Sequence, residues 1–367
     1  MPESPLKVLA RLGQSIWLDD IGRELLDDGT LQRLIDNDGL TGLTSNHAIF
    51  ANAISKQASY ARAFKQLPAS IHGASAAYEV LIGQDLRRAA DLFQPIYERT
   101  GHADGFVSIE VSPHLAYDVQ GSLDEARRLR ADLARQNVMI KIPGTERGID
   151  AIRQLIFEGV HVNITLLFSP ERYRAVANAY MDGLDARIEK RQPVSDISSV
   201  ASFFLSRIDT LVDKQIDARA AQGDVRAKAL RGTAAVASAL RAYQIFQELS
   251  ASERWQRLAA HGARPQRLLW ASTSTKDKAY SPTKYVEDIV LPQTVNTMPM
   301  ETIDIYRVSG RPTLQTAALA SAPARLKALA DAGIDLEAVA AALEKEGVQK
   351  FIEPFDRIQI WLKDQCR

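Results

Sequence analysis

The hydrophobic positions of this chain fall into short runs separated by longer amphipathic stretches. Asn137–Pro143 (NVMIKIP) is the clearest run, almost wholly apolar and closed by a proline. Such a run reads as a buried parallel strand, and proline ends it because it cannot continue a ladder. Comparable runs occur at Ser15–Asp19 (SIWLD), Gly39–Asn46 (GLTGLTSN), Phe106–Val111 (FVSIEV) and Val160–Phe168 (VHVNITLLF). Three more follow at Ser199–Leu205 (SVASFFL), Arg267–Ser272 (RLLWAS) and Thr294–Met298 (TVNTM).

The stretches between them carry helical signals. Helices are expected at about 5–13, 31–36, 49–65 and 73–98. Ser122 with Glu125 three residues on has the form of a capping box. Thr145 is placed to cap a helix in which Ile149, Ile152 and Ile156 share a face. Ser169-Pro170 marks another start, a serine cap with proline in the first turn, and Tyr173, Val176, Tyr180 and Leu184 form its apolar stripe. A long helical stretch at about 207–249 has a break at Gly223. Phe351, Phe355, Ile358 and Leu362 line one face of a last helix and read as plain packing.

Eight short strands joined by helical crossovers predict an α/β fold of the closed (β/α)8 TIM-barrel kind, with additional helices. An open doubly wound sheet is the rival. No GxGxxG follows the first strand and no GxxxxGK[ST] occurs, so the usual glycine signals for a dinucleotide or P-loop site are missing. The expected organisation is one barrel domain over 1–367, with a C-terminal helical extension from about 320 packed on it.

Strand side chains alternate, so one parity faces the barrel interior. Placing Lys141 inward puts Met139 with it. The same parity gathers Asp19, then Thr44 with Asn46, Ser108 with Glu110, and His161 with Asn163 and Thr165. Ser202 pairs with Phe204, and Trp270 with Ser272. Polar groups thus collect towards the C-terminal strand ends, where barrel active sites lie. A lysine is seldom buried without a reason. Desolvation disfavours an ammonium, and the neutral amine is the form that attacks a carbonyl. The plain alternative is a set of strand-end residues meeting solvent. Only six histidines are present and no HExxH, so no metal is expected. Imine chemistry is indicated, with retro-aldol cleavage, dehydration and decarboxylation all open.

Composition narrows the partners. The 367 residues are 46% hydrophobic and 25% charged, with a formal net charge of zero. A nucleic-acid partner therefore has no electrostatic support. The only cysteine is Cys366, which leaves no disulfide framework. No apolar run reaches the length of a signal peptide or membrane span. A cytoplasmic protein with no membrane partner is expected.

Several stretches, in order, resemble transaldolases of the pentose phosphate pathway in their longer bacterial form. They are SIWLDDIGRELL (15–26), DGLTGLTSNHAIF (38–50), VSIEVSPHLAYD (107–118) and NVMIKIPGTERGI (137–149). They continue as VNITLLFSPERY (162–173), VASFFLSRIDTLVD (200–213), LLWASTSTKDKAY (268–280) and TVNTMP (294–299). The resemblance implies a class I aldolase barrel that needs no cofactor. It implies transfer of a dihydroxyacetone unit from sedoheptulose 7-phosphate to glyceraldehyde 3-phosphate, giving erythrose 4-phosphate and fructose 6-phosphate.

It also implies roles. Lys141 forms the imine. Asp19 takes the proton of the C4 hydroxyl as the C3–C4 bond breaks. Glu110 and Thr165 hold a catalytic water. Asn46, Asn163 and Ser202 contact substrate hydroxyls, and Phe204 keeps water from releasing the three-carbon unit, where a tyrosine would suggest a fructose 6-phosphate aldolase. Arg207 binds phosphate; Ser272 and Lys276, from the STSTK stretch, complete that end. Sugar phosphates are the implied partners, and a homodimer the implied assembly. The chain departs from the family's usual TSNPTIF, with His47 and Ala48 after Asn46, and from KIPAT, with Gly144. The first change is expected to loosen the turn that poses Asn46; the second frees the backbone beyond Lys141. A free aldolase, or a barrel that serves only for binding, are the rival functions.

Overall fold

A computed structural model describes residues 4–68, 70–224 and 227–365. Cys366 lies outside the described residues. Eight parallel strands close into a barrel in chain order: β1 (Gln14–Leu18), β2 (Gly42–Thr44), β3 (Phe106–Glu110), β4 (Val138–Pro143), β5 (Val162–Leu167), β6 (Ser199–Phe204), β7 (Arg267–Ala271) and β8 (Thr294–Met298). β8 pairs with β1 and closes the ring. The (β/α)8 architecture is thereby established, and the open-sheet rival is excluded. No helix among the described residues is long and apolar enough to cross a membrane.

Local chemistry accounts for several element ends. Ser169 Oγ accepts from the amide of Arg172 and Pro170 occupies the first turn of Pro170–Glu189, as its sequence predicts. Thr145 Oγ1 accepts from Gly148 N at the head of Gly148–Phe157. The Ser122 capping box does not form. The helix Val119–Leu133 starts earlier, at an Asp118 cap whose carboxylate accepts from Gly121 N. Ser122 Oγ instead donates to Leu115 O, and Glu125 accepts from Ser112 N. An acid four residues ahead of the serine won the cap.

Register partners in a sheet share a face. Thr44 pairs with Ser108, Glu110 with Lys141, Lys141 with Asn163, and Pro143 with Thr165. These side chains therefore point into the barrel, as alternation predicts. Strand seven differs from expectation. Ser202 pairs with Leu269, and Phe203 with Trp270, so Trp270 faces outward, where it meets Phe203 edge-on. Ser272 lies one residue past β7 with φ +55°, and that left-handed residue breaks the alternation.

The lower barrel is plugged by Trp17. It fits inside because Gly42, its register partner, has no Cβ; one would lie 2.4 Å from the indole. Trp17 Nε1 donates to Asp104 at 2.8 Å, and Arg267 donates to Ser15 Oγ at 2.8 Å nearby. His161, inward by parity, sits at this same end against Phe106. Around the barrel, Ile152, Ile156, Tyr173, Val176, Tyr180 and Leu184 are all buried. Asp19, Thr44, Asn46, Lys141 and Ser202 gather at the opposite mouth. The helix Leu336–Gln365 lies over that mouth, with Leu343 and Phe351 on the wall of the cavity there.

Candidate active site

The mouth encloses a cavity of about 480 Å³. Asp19, Asn46, Lys141, Ser202, Phe204, Arg207, Ser272 and Lys276 lie on its wall. Glu110, Thr165 and Asn163 do not; they are buried beneath it. Among the wall groups that escaped the sequence reading are Lys214 from the helix Ser206–Ala221, and Leu343, Glu346 and Lys350 from the C-terminal helix. Exposed helical lysines carry no sequence mark that separates them from a solvated face. The one available signal was that Lys214 follows Arg207 by seven residues, on the same helical side.

Lys141 is only 4% exposed. Its Nζ donates to Ser45 O at 2.9 Å and lies 3.9 Å from a Glu110 carboxylate oxygen. Both Glu110 oxygens and Thr165 Oγ1 are buried without a hydrogen-bond partner in the protein. Buried polar atoms need partners, so this pair is fitted to hold a small polar molecule beside the lysine. Burial pushes the Glu110 carboxyl up to about 7; Lys141 pulls against the rise, Asp19 adds to it and Arg207 opposes it.

Asp19 sits just beyond β1, where its own amide donates to Met298 O. Thr44 Oγ1 donates to its carboxylate at 2.8 Å and lies 2.8 Å from Thr297 Oγ1. Burial raises the Asp19 pKa, while Lys141, the Thr44 bond and Arg207 act the other way. A carboxylate with reduced hydration and a fixed orientation is suited to accept a proton.

Asn163 is tied in on both sides. Its amide donates to Ser108 Oγ at 3.0 Å, and its carbonyl accepts from Ser202 Oγ at 2.7 Å. Asn46 Oδ1 caps the helix His47–Lys56 by accepting from Ile49 N at 3.0 Å. Its NH2 remains to donate to a ligand. The expected loosening of this turn is not what the structure shows. His47 is buried, with Nε2 2.9 Å from Val111 O and its ring edge-on to Phe355, so it anchors the turn from behind. Gly144 also has a packing reason: a Cβ there would lie 2.4 Å from Leu167 Cδ2, while its amide donates to Thr165 O at 2.7 Å.

At the outer end, the Arg207 guanidinium lies 5.4 Å from the Phe204 ring centroid, and its Nη1 is buried with no protein acceptor. Burial lowers its pKa, and Glu346, Asp19 and Glu110 counter this. Lys214, Lys276 and Lys350 are exposed cations around it, Lys350 paired with Glu346. This rim suits an anion, and the ring of hydroxyls and amides below suits a polyol.

Glu110 also makes a stability prediction. A carboxyl whose folded pKa exceeds its unfolded value favours the fold fully below the unfolded pKa, and loses that contribution as pH rises through the folded one. The window runs from 4.5 to about 7. Glu110→Gln removes it. Between pH 5 and 8 the variant should gain about 2–3 kcal/mol on the wild type, from the size of the shift. Urea unfolding of both proteins at the two pH values checks this; parallel pH curves would contradict it.

A closed eight-stranded barrel with a buried lysine at its C-terminal mouth, acids beside it and a cationic rim suits imine chemistry on an anionic carbonyl compound. Comparison with known proteins makes this specific. The family Transaldolase/Fructose-6-phosphate aldolase matches residues 16–360, and the chain belongs to that family. It is 43% identical over 370 residues to Transaldolase 2 of Nostoc sp. (strain PCC 7120), covering 97% of this chain and 96% of the relative. It is 45% identical over 357 residues to a transaldolase of Renibacterium salmoninarum, covering 96% and 95%. A transaldolase of Thiobacillus denitrificans is 44% identical over 346 residues, covering 94% and 96%.

Proposed function

We propose that this protein is a transaldolase that transfers a dihydroxyacetone unit from sedoheptulose 7-phosphate to glyceraldehyde 3-phosphate. The observation that carries the reading is Lys141, buried at the mouth within 3.9 Å of Glu110 and on the wall of a cavity rimmed by cations. Lys141 adds to the ketose carbonyl, and the resulting iminium draws electrons as the C3–C4 bond breaks. Asp19 takes the C4 hydroxyl proton and returns it when the acceptor aldehyde adds. Glu110 and Thr165 hold the water that relays protons in imine formation and hydrolysis. Ser202 and the Asn46 amide contact hydroxyls of the bound unit; Asn163 sets the Ser202 hydroxyl in place through their shared bond. Phe204, an apolar ring on the wall, withholds water from the three-carbon intermediate and favours transfer over release.

Borohydride trapping with fructose 6-phosphate, read by mass spectrometry of the Lys141 peptide, tests this. The expected result is a reduced dihydroxyacetone adduct on Lys141 that disappears on adding erythrose 4-phosphate, as sedoheptulose 7-phosphate forms. No adduct on Lys141 would overturn the reading, and steady release of free dihydroxyacetone would favour an aldolase.

Arg207 binds the phosphate, with Lys276 and Ser272 from the loop after β7 and with Lys214 and Lys350 added. A charge-assisted hydrogen bond contributes about 1.5–3 kcal/mol. Arg207→Ala should therefore lower kcat/KM for fructose 6-phosphate by about 10–100-fold, with a smaller effect for unphosphorylated fructose. Lys276→Ala and Lys350→Ala should show the same selectivity more weakly. Equal losses for both sugars would remove these residues from the phosphate site. We also propose a cytoplasmic homodimer that acts on sugar phosphates without a cofactor, nucleic acid or membrane partner. Its C-terminal helices complete the one barrel domain.

A further inference from the structure

A second cavity, of about 380 Å³, lies behind the first, between β3, the helices His47–Lys56, Ala74–Arg99 and Val119–Leu133, and the C-terminal helix. Its outer end is formed by the half-buried Glu79 and the exposed Arg128, which pair with one another at 2.8 Å. Its inner end is Glu110. Asn46 lies on the walls of both cavities and stands between them.

The lining has features that packing does not require. Tyr78 is 4% exposed, yet its hydroxyl has no hydrogen-bond partner in the protein. His47 is equally buried. Its Nε2 faces the Val111 carbonyl at 2.9 Å and must carry the proton, so its unpartnered Nδ1 is a lone-pair acceptor. Burial holds that ring down to about 4, so it stays neutral; Lys141 and His114 add to the lowering. Glu110, Glu125 and Glu79 are the acids that act on Tyr78, whose hydroxyl burial keeps protonated. His47, Tyr78 and Glu110, each with a buried polar atom that has no hydrogen-bond partner in the protein, thus line one cavity, whose wall also carries the exposed Arg128. A polar cavity of this size is suited to water, which would satisfy all three.

We propose that this second cavity is the water and proton route to Glu110, separate from the mouth through which sugars enter. The proposal rests on the imine reading of Lys141. Loss of hydroxyl from the neutral carbinolamine takes the Glu110 proton, leaving an iminium, a carboxylate and one water. Hydrolysis reverses this: one water adds to the iminium carbon and its proton returns to Glu110. Each turnover therefore releases one water and consumes one beside Glu110. The cavity lined by Tyr78 and His47 reaches from Glu110 to the exposed Arg128 without crossing the mouth where sugars enter.

The test is the wash-in of ¹⁸O from labelled water into C2 of fructose 6-phosphate, corrected for uncatalysed exchange. It is compared with the amount of Lys141 adduct trapped by borohydride. Wash-in needs the released water to leave, whereas trapping needs only the imine. Tyr78→Phe keeps the ring contacts with Phe50 and Phe355 and deletes the hydroxyl. It should lower wash-in per trapped imine about tenfold, a modest loss for a proton-relay group. Wild-type wash-in with normal trapping would overturn the proposal. If Tyr78→Phe traps no imine, Ile82→Phe, which fills the same cavity one turn along, takes its place under the same criterion. Failure of the wild type itself to label Lys141 would overturn the imine reading, and this route with it, and is distinguished by needing no variant.

Discussion

Lys141→Ala is expected to abolish the borohydride-trapped adduct and to lower transfer by at least about 10⁴-fold, because covalent catalysis has no substitute nucleophile at this mouth. The other cations on the cavity wall, Arg207, Lys214, Lys276 and Lys350, stand at the rim or on the covering helices rather than among the strand ends. The fold should survive the change. The variant loses the bond from Nζ to Ser45 O, a loss of about 1 kcal/mol for one hydrogen bond. Glu110 loses the cation that pulls its pKa down and takes up a proton, so no bare buried charge is left behind. Cooperative thermal unfolding with a slightly lowered midpoint, no adduct and no turnover is the expected combination. A Lys141→Ala protein that still transfers at the wild-type rate would remove the lysine from the chemistry.

The barrel was legible because its strands alternate or run apolar between helices of ordinary spacing, and the period of two places Glu110, Lys141, Asn163 and Thr165 on one face without any knowledge of their neighbours. Alternation fails where a strand ends. Trp270 and Ser272 share parity in sequence, but β7 stops at Ala271 and the left-handed Ser272 redirects the chain. Local signals also compete, as when Asp118 displaced Ser122 as a cap. The parts of the site that stayed hidden come from distant elements. Lys350 and Leu343 reach the mouth only because the C-terminal helix crosses it, and the cavity behind Glu110 exists only where five elements meet. His47 shows the same limit from the other side. The sequence marks it as a substitution beside Asn46, but its anchoring bond is to Val111, on the far side of a long helical insertion.

Asp19→Ala should separate the two halves of the reaction. Imine formation depends on Lys141 and Glu110, and both keep their contacts in this variant, so the adduct with fructose 6-phosphate should still be trapped. Cleavage needs a base at the C4 hydroxyl, and loss of a general base typically lowers such a step by about 10²–10⁴-fold. The trapped species should therefore shift from a three-carbon adduct to the intact six-carbon one, visible as a mass difference on the Lys141 peptide. Asp19→Asn sharpens the result. Its amide oxygen can still accept from Thr44 Oγ1, which holds Asp19 in place at 2.8 Å, but it cannot take a proton. If Asp19 acts as the base, Asn and Ala variants fail alike. If it only orders the Thr44–Thr297 hydroxyl pair, the Asn variant recovers most of the cleavage rate, and the base lies elsewhere. Burial raises the Asp19 pKa while Lys141 holds it down. Once the lysine nitrogen is committed to the imine its positive charge stays beside Asp19. The carboxylate is then kept ionised at the step that needs it, and the Asp19 variants should lose cleavage without losing the imine.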